Sequence, residues 1–212
     1  MFESFKKILI LAPHTDDGEF GCGGTIAKFV ANGAEVHYIA FSTCEESVPA
    51  HLPKDILTHE VKAATLALGI KPENLHILDY KVRYFNYKRQ EILEDIIRLK
   101  KQIQPDLVFI PSVNDIHQDH ATIAIEGLRA FKNANILSYE LAWNNLQFSN
   151  ACFVHLEESH IQTKINALAQ YKSQAHRPYA QERFIKSLAI TRGVQIGTDY
   201  AEVFEVVRLI LK

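Results

Sequence analysis

Long apolar segments, abundant cysteine and a strong net charge are all missing from this sequence. No apolar run approaches the ~18 residues that a bilayer-spanning helix needs, and residues 1–7 lack the apolar core of a secretory signal. The three cysteines, Cys22, Cys44 and Cys152, have no CxxC spacing, which excludes a disulfide scaffold and a structural zinc site built from thiolates. A net charge of -2 gives no reason to expect nucleic acid as a partner. We therefore expect a soluble, cytoplasmic protein without a membrane span.

What is present fits one ordinary globular domain. The chain has 212 residues, of which 47% are hydrophobic and 23% charged, a composition typical of compact proteins. No tract rich in proline, glycine or serine divides it, so we predict a single domain over residues 1–212. The sequence leaves open whether the protein assembles into a homo-oligomer.

Predicted strands and helices alternate along most of the chain. Apolar runs predict strands at 7–12, 35–42, 75–79, 106–111, 135–142, 151–156 and 200–210. Helices fit between them at 22–32, 54–69, 87–104, 119–131, 160–173 and 180–190. This order predicts an α/β protein with a three-layer, Rossmann-like fold and a mostly parallel sheet. Because strict alternation fails late in the chain, we expect the C-terminal part to cap one side of the ligand crevice.

Two clusters of histidine and carboxylate residues each follow one of the predicted buried strands. The sequence PHTDDGE occupies residues 13–19, and HQDH occupies residues 117–120. In open α/β sheets the segments beyond the carboxyl ends of strands converge on one crevice. Residues three apart lie on the same side of a turn, so each cluster can direct two side chains at one ion.

Imidazole and carboxylate groups are the ligands that catalytic zinc uses most often. Such a site usually has three protein ligands and keeps one position open, whereas structural zinc is closed. The sequence therefore predicts an open, hydrolytic zinc centre. Spacing alone leaves His117 and His120 equal as candidates for the third ligand.

The same residues carry a resemblance to a known family. Residues 11–25, LAPHTDDGEFGCGGT, resemble the AHPDDE…GCGGT signature of the PIG-L/LmbE-like zinc-dependent N-deacetylases, and residues 117–120 are similar to its HxDH motif. Members remove acetyl groups from N-acetylglucosamine-type sugars on various aglycones. The chain departs from the pattern at Pro13, Thr15 and Gly18, and it lacks the family's arginine around residues 58–60. None of these differences removes a ligand.

The resemblance implies a role for each motif residue. It makes His14, Asp17 and His120 the zinc ligands and Asp16 the general base. It makes His117 the electrostatic partner of the transition state, whose negative charge this residue would balance if protonated. For Asp119 the residues leave two roles open: orienting a neighbouring histidine or capping the helix that follows.

Substrate contacts are predicted mainly among charged residues outside the motifs. The candidates for binding sugar hydroxyls or an anionic aglycone are Arg83, Glu45, Arg177, Tyr179 and Arg192. Arg83 is the first choice because it follows the third strand. Surface charge or helix capping is the alternative reading of each. The segment 139–145 could similarly bring Trp143 or Asn144 to the crevice.

Three other functions fit parts of the sequence. GCGG at residues 21–24, with Glu45 as a ribose ligand, suggests a Rossmann-like nucleotide-binding module, but Ile26 occupies the third small position of that fingerprint, and the Asp pair would lie beside the pyrophosphate. A metal centre could instead cleave a phosphoester or another amide. A metal-bearing, lectin-like module would bind saccharide without turnover.

Overall fold

Residues 4–210, the part of the chain described by the computed structural model, form one seven-stranded sheet with helices on both faces. The strands are β1 Lys7–Ala12, β2 Glu35–Ala40, β3 Leu75–Ile77, β4 Leu107–Pro111, β5 Asn135–Tyr139, β6 Cys152–Leu156 and β7 Tyr200–Arg208. The helices are α1 Asp17–Ala31, α2 Ile56–Ala67, α3 Arg89–Ile103, α4 Gln118–Ala130, α5 Glu158–Leu168 and α6 Glu182–Val194. No helix within the described range is long and apolar enough to cross a membrane.

The strand order is β3-β2-β1-β4-β5-β7-β6. The first five strands in this order pair in parallel, whereas β7 runs antiparallel to both of its neighbours, β5 and β6. β1 lies in the interior of the sheet between β2 and β4, and its residues Ile8–Ala12 are fully buried, as expected for a parallel strand covered on both faces. The expected α/β class and mostly parallel sheet are confirmed.

Successive residues of β1 face two different cores. Ile8 and Ile10 pack with residues of α1, α2, α5 and α6, whereas Leu9 and Leu11 pack with residues of α3 and α4. This alternation follows from the two-residue repeat of a strand. Three layers result, with the sheet in the middle.

Two helices depart most from their predicted bounds. α5 ends at Leu168 instead of residue 173, and α1 begins earlier than predicted. The sequence predicts this helix at residues 22–32. The structure begins α1 at Asp17 and breaks it at Cys22, where φ is -147° and ψ is 24°. The glycines permit close packing instead of forming a phosphate loop: a Cβ at Gly21 would lie 2.3 Å from the Tyr139 ring.

The carboxyl ends of β1 and β4 are adjacent, since these strands pair directly. α1 follows β1 on one face of the sheet, and α4 follows β4 on the other. A crevice opens where neighbouring strands send their chains to opposite faces, and ligands of α/β proteins bind there. Both sequence clusters lie at this point.

Candidate metal centre and active-site cleft

The loop from β1 to α1 folds back on Asp17. The backbone N–H of His14 donates to Asp17 Oδ2 at 2.8 Å, and His14 Nδ1 lies 3.1 Å from the same oxygen. One carboxylate oxygen therefore fixes both the backbone and the ring of His14. Asp17 is the first residue of α1, where a negative charge is favoured by the helix dipole.

Buried hydroxyl and carboxyl groups support this loop on the side that faces the protein interior. The Tyr171 hydroxyl lies 2.6 Å from the Thr15 carbonyl and 2.8 Å from Glu19 Oε1, and Tyr38 donates to the other oxygen of Glu19. Burial raises the pKa of Glu19 to about 8. The carboxyl is thus held largely neutral at pH 7 and adds no negative charge beneath the two aspartates.

The loop from β4 to α4 is organised by Asp115. Its Oδ1 accepts the backbone N–H of His117 at 2.8 Å, and its Oδ2 lies 2.7 Å from His120 Nδ1. His117 caps α4, because its Nδ1 accepts the backbone N–H of Asp119 at 3.2 Å. His117 is therefore the residue that caps α4. Of the two roles predicted for Asp119, orienting a neighbouring histidine is the one that remains.

Asp119 joins two parts of the site. Its Oδ2 lies 3.1 Å from His14 Nε2 and accepts the backbone N–H of Arg83 at 2.6 Å. Asp119 is fully buried, so these bonds are shielded from water. The sequence prediction that Asp119 orients a histidine corresponds to this contact with His14.

Three donor atoms converge between the two loops. His14 Nδ1, Asp17 Oδ2 and His120 Nε2 are separated by 3.1 Å, 3.1 Å and 3.2 Å. Ligands around one tetrahedral zinc ion at its usual bond lengths are separated by roughly 3.3 Å. The arrangement matches that spacing.

The chemistry of the donors also fits a cation. A neutral imidazole carries one N–H, and in His14 and His120 the nitrogen away from the cluster faces the carboxylate of Asp119 or Asp115. Donation to these carboxylates leaves a lone pair on each nitrogen that faces Asp17. Carboxylate partners behind ligating histidines are a regular feature of metal sites.

Charge in this cluster is concentrated on His120 and Asp17. Burial opposes the imidazolium, but the carboxylates of Asp17 and Asp115 raise the pKa of His120 to about 10. Burial likewise opposes the ionised form of Asp17, but His120 and His14 lower its pKa well below the usual value. Both shifts show that the space between His120 and Asp17 favours a positive charge, which either a proton on His120 or a metal cation can supply.

His117 lies beside these three donors. Its ring has a nitrogen within 4.8 Å of nitrogens of both His14 and His120, so the three histidines form a wider candidate metal cluster. Burial and the two neighbouring imidazoles lower the pKa of His117 to about 4. These groups favour the neutral ring of His117, which presents Nε2–H as a donor because Nδ1 accepts a hydrogen bond. The role of His117 at the transition state stays a prediction.

Asp16 differs from Asp17 in its partners. It occupies the N-cap position of α1, yet its side chain does not cap the helix, and it lines the cleft. Burial and the adjacent Asp17 carboxylate raise its pKa to about 6. A carboxylate with this pKa can accept and release a proton near neutrality.

A cleft of about 360 Å³ opens over these residues. Its wall combines motif residues with side chains from four other loops: His14, Thr15, Asp16, Asp17, Phe20, Cys44, Ser47, Leu57, Val82, Arg83, His117, His120, Trp143, Asn144, Gln174, Arg177 and Tyr179. Trp143 stacks on Tyr179 with ring centroids 4.1 Å apart. The size and lining are those of a small-molecule site.

The predicted substrate contacts divide into two groups. Arg83 and Arg177 line the cleft, and the Arg83 guanidinium donates to Ser47 Oγ at 3.2 Å. Glu45 is exposed and outside the lining. Arg192 bonds to Glu140 in a separate, smaller cavity. The structure thus brings two of these four residues to the metal cluster.

Sequence reasoning missed several residues of the site. Asp115 is the most important, and its position between β4 and HQDH was the available signal, since a carboxylate two residues before a candidate ligand can reach the same helix start. Gln174 comes from the segment after α5. No spacing in the sequence points to it, whereas Tyr179, which was among the candidates, does line the cleft.

Comparison with known proteins agrees with this geometry. A family model described as PIG-L, GlcNAc-PI de-N-acetylase, matches residues 9–131, which is more than half of the chain and includes both motifs. The chain is 25% identical over 224 residues to a diacetylchitobiose deacetylase of Thermococcus kodakarensis, covering 95% of this chain and 83% of that protein. It is 28% identical over 174 residues to an uncharacterized deacetylase, YaiS, of Escherichia coli, covering 79% and 91%.

A solved structure shares the fold. The N,N'-diacetylchitobiose deacetylase from Pyrococcus horikoshii, complexed with an inhibitor, superposes with a TM-score of 0.75 at 24% identity, covering 97% of this chain and 85% of that chain. The likeness includes the C-terminal strands, which lie outside the family model.

Proposed function

Because the chain belongs to the PIG-L (GlcNAc-PI de-N-acetylase) family, we propose that it is a zinc-dependent hydrolase that removes the acetyl group from an N-acetylglucosamine-type sugar or sugar conjugate. The relative named diacetylchitobiose deacetylase supports this substrate class. The observation that carries the proposal is the convergence of three donor atoms on one point, with the Asp16 carboxylate beside them in the same cleft.

His14, Asp17 and His120 would hold the zinc ion. Two nitrogens and one carboxylate oxygen are a ligand set that catalytic zinc accepts, leaving room for water and substrate. When bound, the ion supplies Lewis-acid polarisation of the acetyl carbonyl and acidifies a water molecule. Asp115 and Asp119 keep the two imidazoles in the orientation and tautomer that ligation requires.

Asp16 acts as the general base. Its carboxylate takes a proton from the attacking water while the new C–O bond forms at the acetyl carbon. The same proton then passes to the sugar nitrogen as the C–N bond breaks, giving the free amine and acetic acid, which loses its remaining acidic proton to solvent as acetate. Since its pKa is raised to about 6, Asp16 is suited to both transfers.

His117 stabilises the negative charge that develops on the acetyl oxygen. It does so as a neutral donor through Nε2–H, because Nδ1 is engaged by the Asp119 backbone. A donor fixed in this way before reaction needs no reorganisation in the transition state. The arginines that line the cleft, Arg83 and Arg177, bind the sugar or its aglycone.

The test is acetate release from a panel of N-acetylhexosamine conjugates, run with metal-free protein and after zinc is restored. A phosphoester and an acetamide without a sugar are assayed beside the panel. We expect turnover only with the metal, and only for the acetamido sugars. The matched control is Asp16→Asn, which keeps the ligands but lacks the base. Phosphoester cleavage, or saccharide binding without acetate release, would overturn the proposal. Cytoplasmic location and homo-oligomer formation stay predictions.

A further inference from the structure

The break in α1 is filled by side chains from outside the family-matched region. At Cys22 the helix departs from helical geometry, which separates a first turn, residues 17–21, from the rest. Lys164 of α5 donates to the Phe20 carbonyl at 2.6 Å. Glu202 of β7 accepts the backbone N–H groups of Gly24 at 3.0 Å and Thr25 at 2.7 Å.

Lys164 and Glu202 are also bonded to each other. Lys164 Nζ lies 2.7 Å from Glu202 Oε1, and the two side chains are each only 7% exposed. The Lys164 ammonium group contacts the Phe20 carbonyl at the end of the first turn. The Glu202 carboxylate contacts the N–H groups of Gly24 and Thr25 at the start of the second segment. Each charge therefore complements the dipole of the helix end it contacts.

Two glycines make room for this pair. A Cβ at Gly23 would lie 2.9 Å from Lys164 Cγ, and a Cβ at Gly24 would lie 3.2 Å from Glu202 Oε1. A larger residue at Gly23 would displace the Lys164 side chain, and one at Gly24 would clash with Leu156 as well as crowd the Glu202 carboxylate. The glycine-rich segment and the buried pair are thus one structural unit.

A chain of hydrogen bonds connects the unit to the metal centre. The Phe20 carbonyl is held by Lys164, and the Phe20 N–H donates to the Asp16 carbonyl at 3.1 Å. Asp17 begins the same turn. Fixing Phe20 therefore fixes the turn that carries both aspartates of the site.

We propose that Lys164 and Glu202 are positioning residues, which set the direction of the first turn of α1 and so aim Asp16 and Asp17 at the metal centre. Stability alone does not account for a buried pair of this kind, because apolar replacements of buried ion pairs are often neutral or stabilising. Orientation of a broken helix is a task that an apolar pair cannot perform, since it offers no partner to the carbonyl or the N–H groups. The inference rests on the proposed function only in taking Asp17 as a metal ligand.

The test uses Lys164→Met and Glu202→Gln in the full chain. Zn²⁺ alone is titrated into each metal-free variant, and Co²⁺ is used in parallel because its visible absorption reports ligand geometry. We expect the dissociation constant for Zn²⁺ to rise about tenfold, the lower end of the effect for residues that orient ligands, with an altered Co²⁺ spectrum. In the deacetylase assay kcat should fall while KM changes little.

Glu126→Gln is the matched control. Glu126 is a fully buried carboxylate that pairs with Arg89 and Arg129, and none of these contacts involves α1. We expect this variant to melt at lower temperature but to bind Zn²⁺ and turn over substrate as the wild type does. If either pair variant fails to fold, Gly23→Ala, which keeps both charges, takes its place.

Folded variants with wild-type Zn²⁺ affinity and kcat would overturn the positioning role. The same experiments distinguish failure of the positioning role from failure of the proposed deacetylase function. If the variants lose Zn²⁺ affinity while no sugar is deacetylated even by the wild type, positioning stands and the sugar substrate is wrong. If the wild type binds no Zn²⁺, both fail.

Discussion

Asp115 Oδ2 lies 2.7 Å from His120 Nδ1, on the side of the imidazole opposite the nitrogen that faces Asp17. This carboxylate fixes the tautomer of His120 and raises its basicity. We predict that Asp115→Asn lowers the affinity for zinc by about 10–100-fold, measured by competition with a chelator. Asp95→Asn, which removes a carboxylate bonded to Tyr80 and Arg98, should leave the affinity unchanged. An unaltered affinity in Asp115→Asn would show that His120 does not need this partner.

Replacing any of the three proposed ligands should empty the metal site. In His14→Ala, Asp17→Ala or His120→Ala only two strong ligands remain, which is too few for tight zinc binding. Metal analysis after dialysis should find one equivalent in the wild type and little in the variants. Full occupancy in all three variants contradicts the assignment.

The variant Asp16→Asn distinguishes a general base from a metal ligand. The amide keeps the shape of the side chain but cannot accept a proton, so we expect full metal content with nearly all turnover lost. Metal analysis and steady-state kinetics on one preparation provide the measurement. Near-normal kcat in a metal-replete variant would mean that another group is the base.

His117→Ala should keep its metal and lose kcat by roughly 100–1,000-fold, the effect of removing one donor to the oxyanion. His120→Ala, three residues away on the same helix turn, should instead be metal-poor. An exposed histidine, His59, provides the control, since its side chain is 70% exposed. If His117→Ala loses the metal and His120→Ala retains it, the two roles are reversed.

Metal binding should stabilise the fold. Zinc at a free concentration one hundred times its dissociation constant is expected to raise the melting temperature by about 5–10 °C. Asp17→Ala is the comparison, and its melting temperature should not respond to zinc. A shift of equal size in that variant would place the stabilising zinc at another site.

Much of this fold could be predicted because strands and helices are marked locally. The spacing of Ile92, Ile96, Leu99 and Ile103 predicts α3, and all four residues are buried as expected. Pro105 then forces the chain out of the helix just before β4. Such signals need no knowledge of distant residues.

The start of α1 was not predictable, because its cause lies elsewhere in the chain. Four glycines within eight residues disfavour a helix locally, and the partners that stabilise one, Lys164 and Glu202, come from α5 and β7. The same holds for the cleft wall. Arg83 could be chosen because it follows a strand, whereas Gln174 reaches the cleft only through the packing of the segment after α5.

His14 and His120 are 106 residues apart along the chain, and this separation affects when the proposed metal site can form during folding. In an unfolded chain, joining these residues closes a long loop, and the entropy cost of that closure opposes capture of an ion. Pairing of β1 with β4 brings the two loops together. Strand pairing then offsets the entropy cost of closing the loop, and ion binding no longer has to do so. An ion held as proposed would therefore bind after β1 and β4 have paired. It would then cross-link the loops that follow these two strands, and its removal would loosen both loops together.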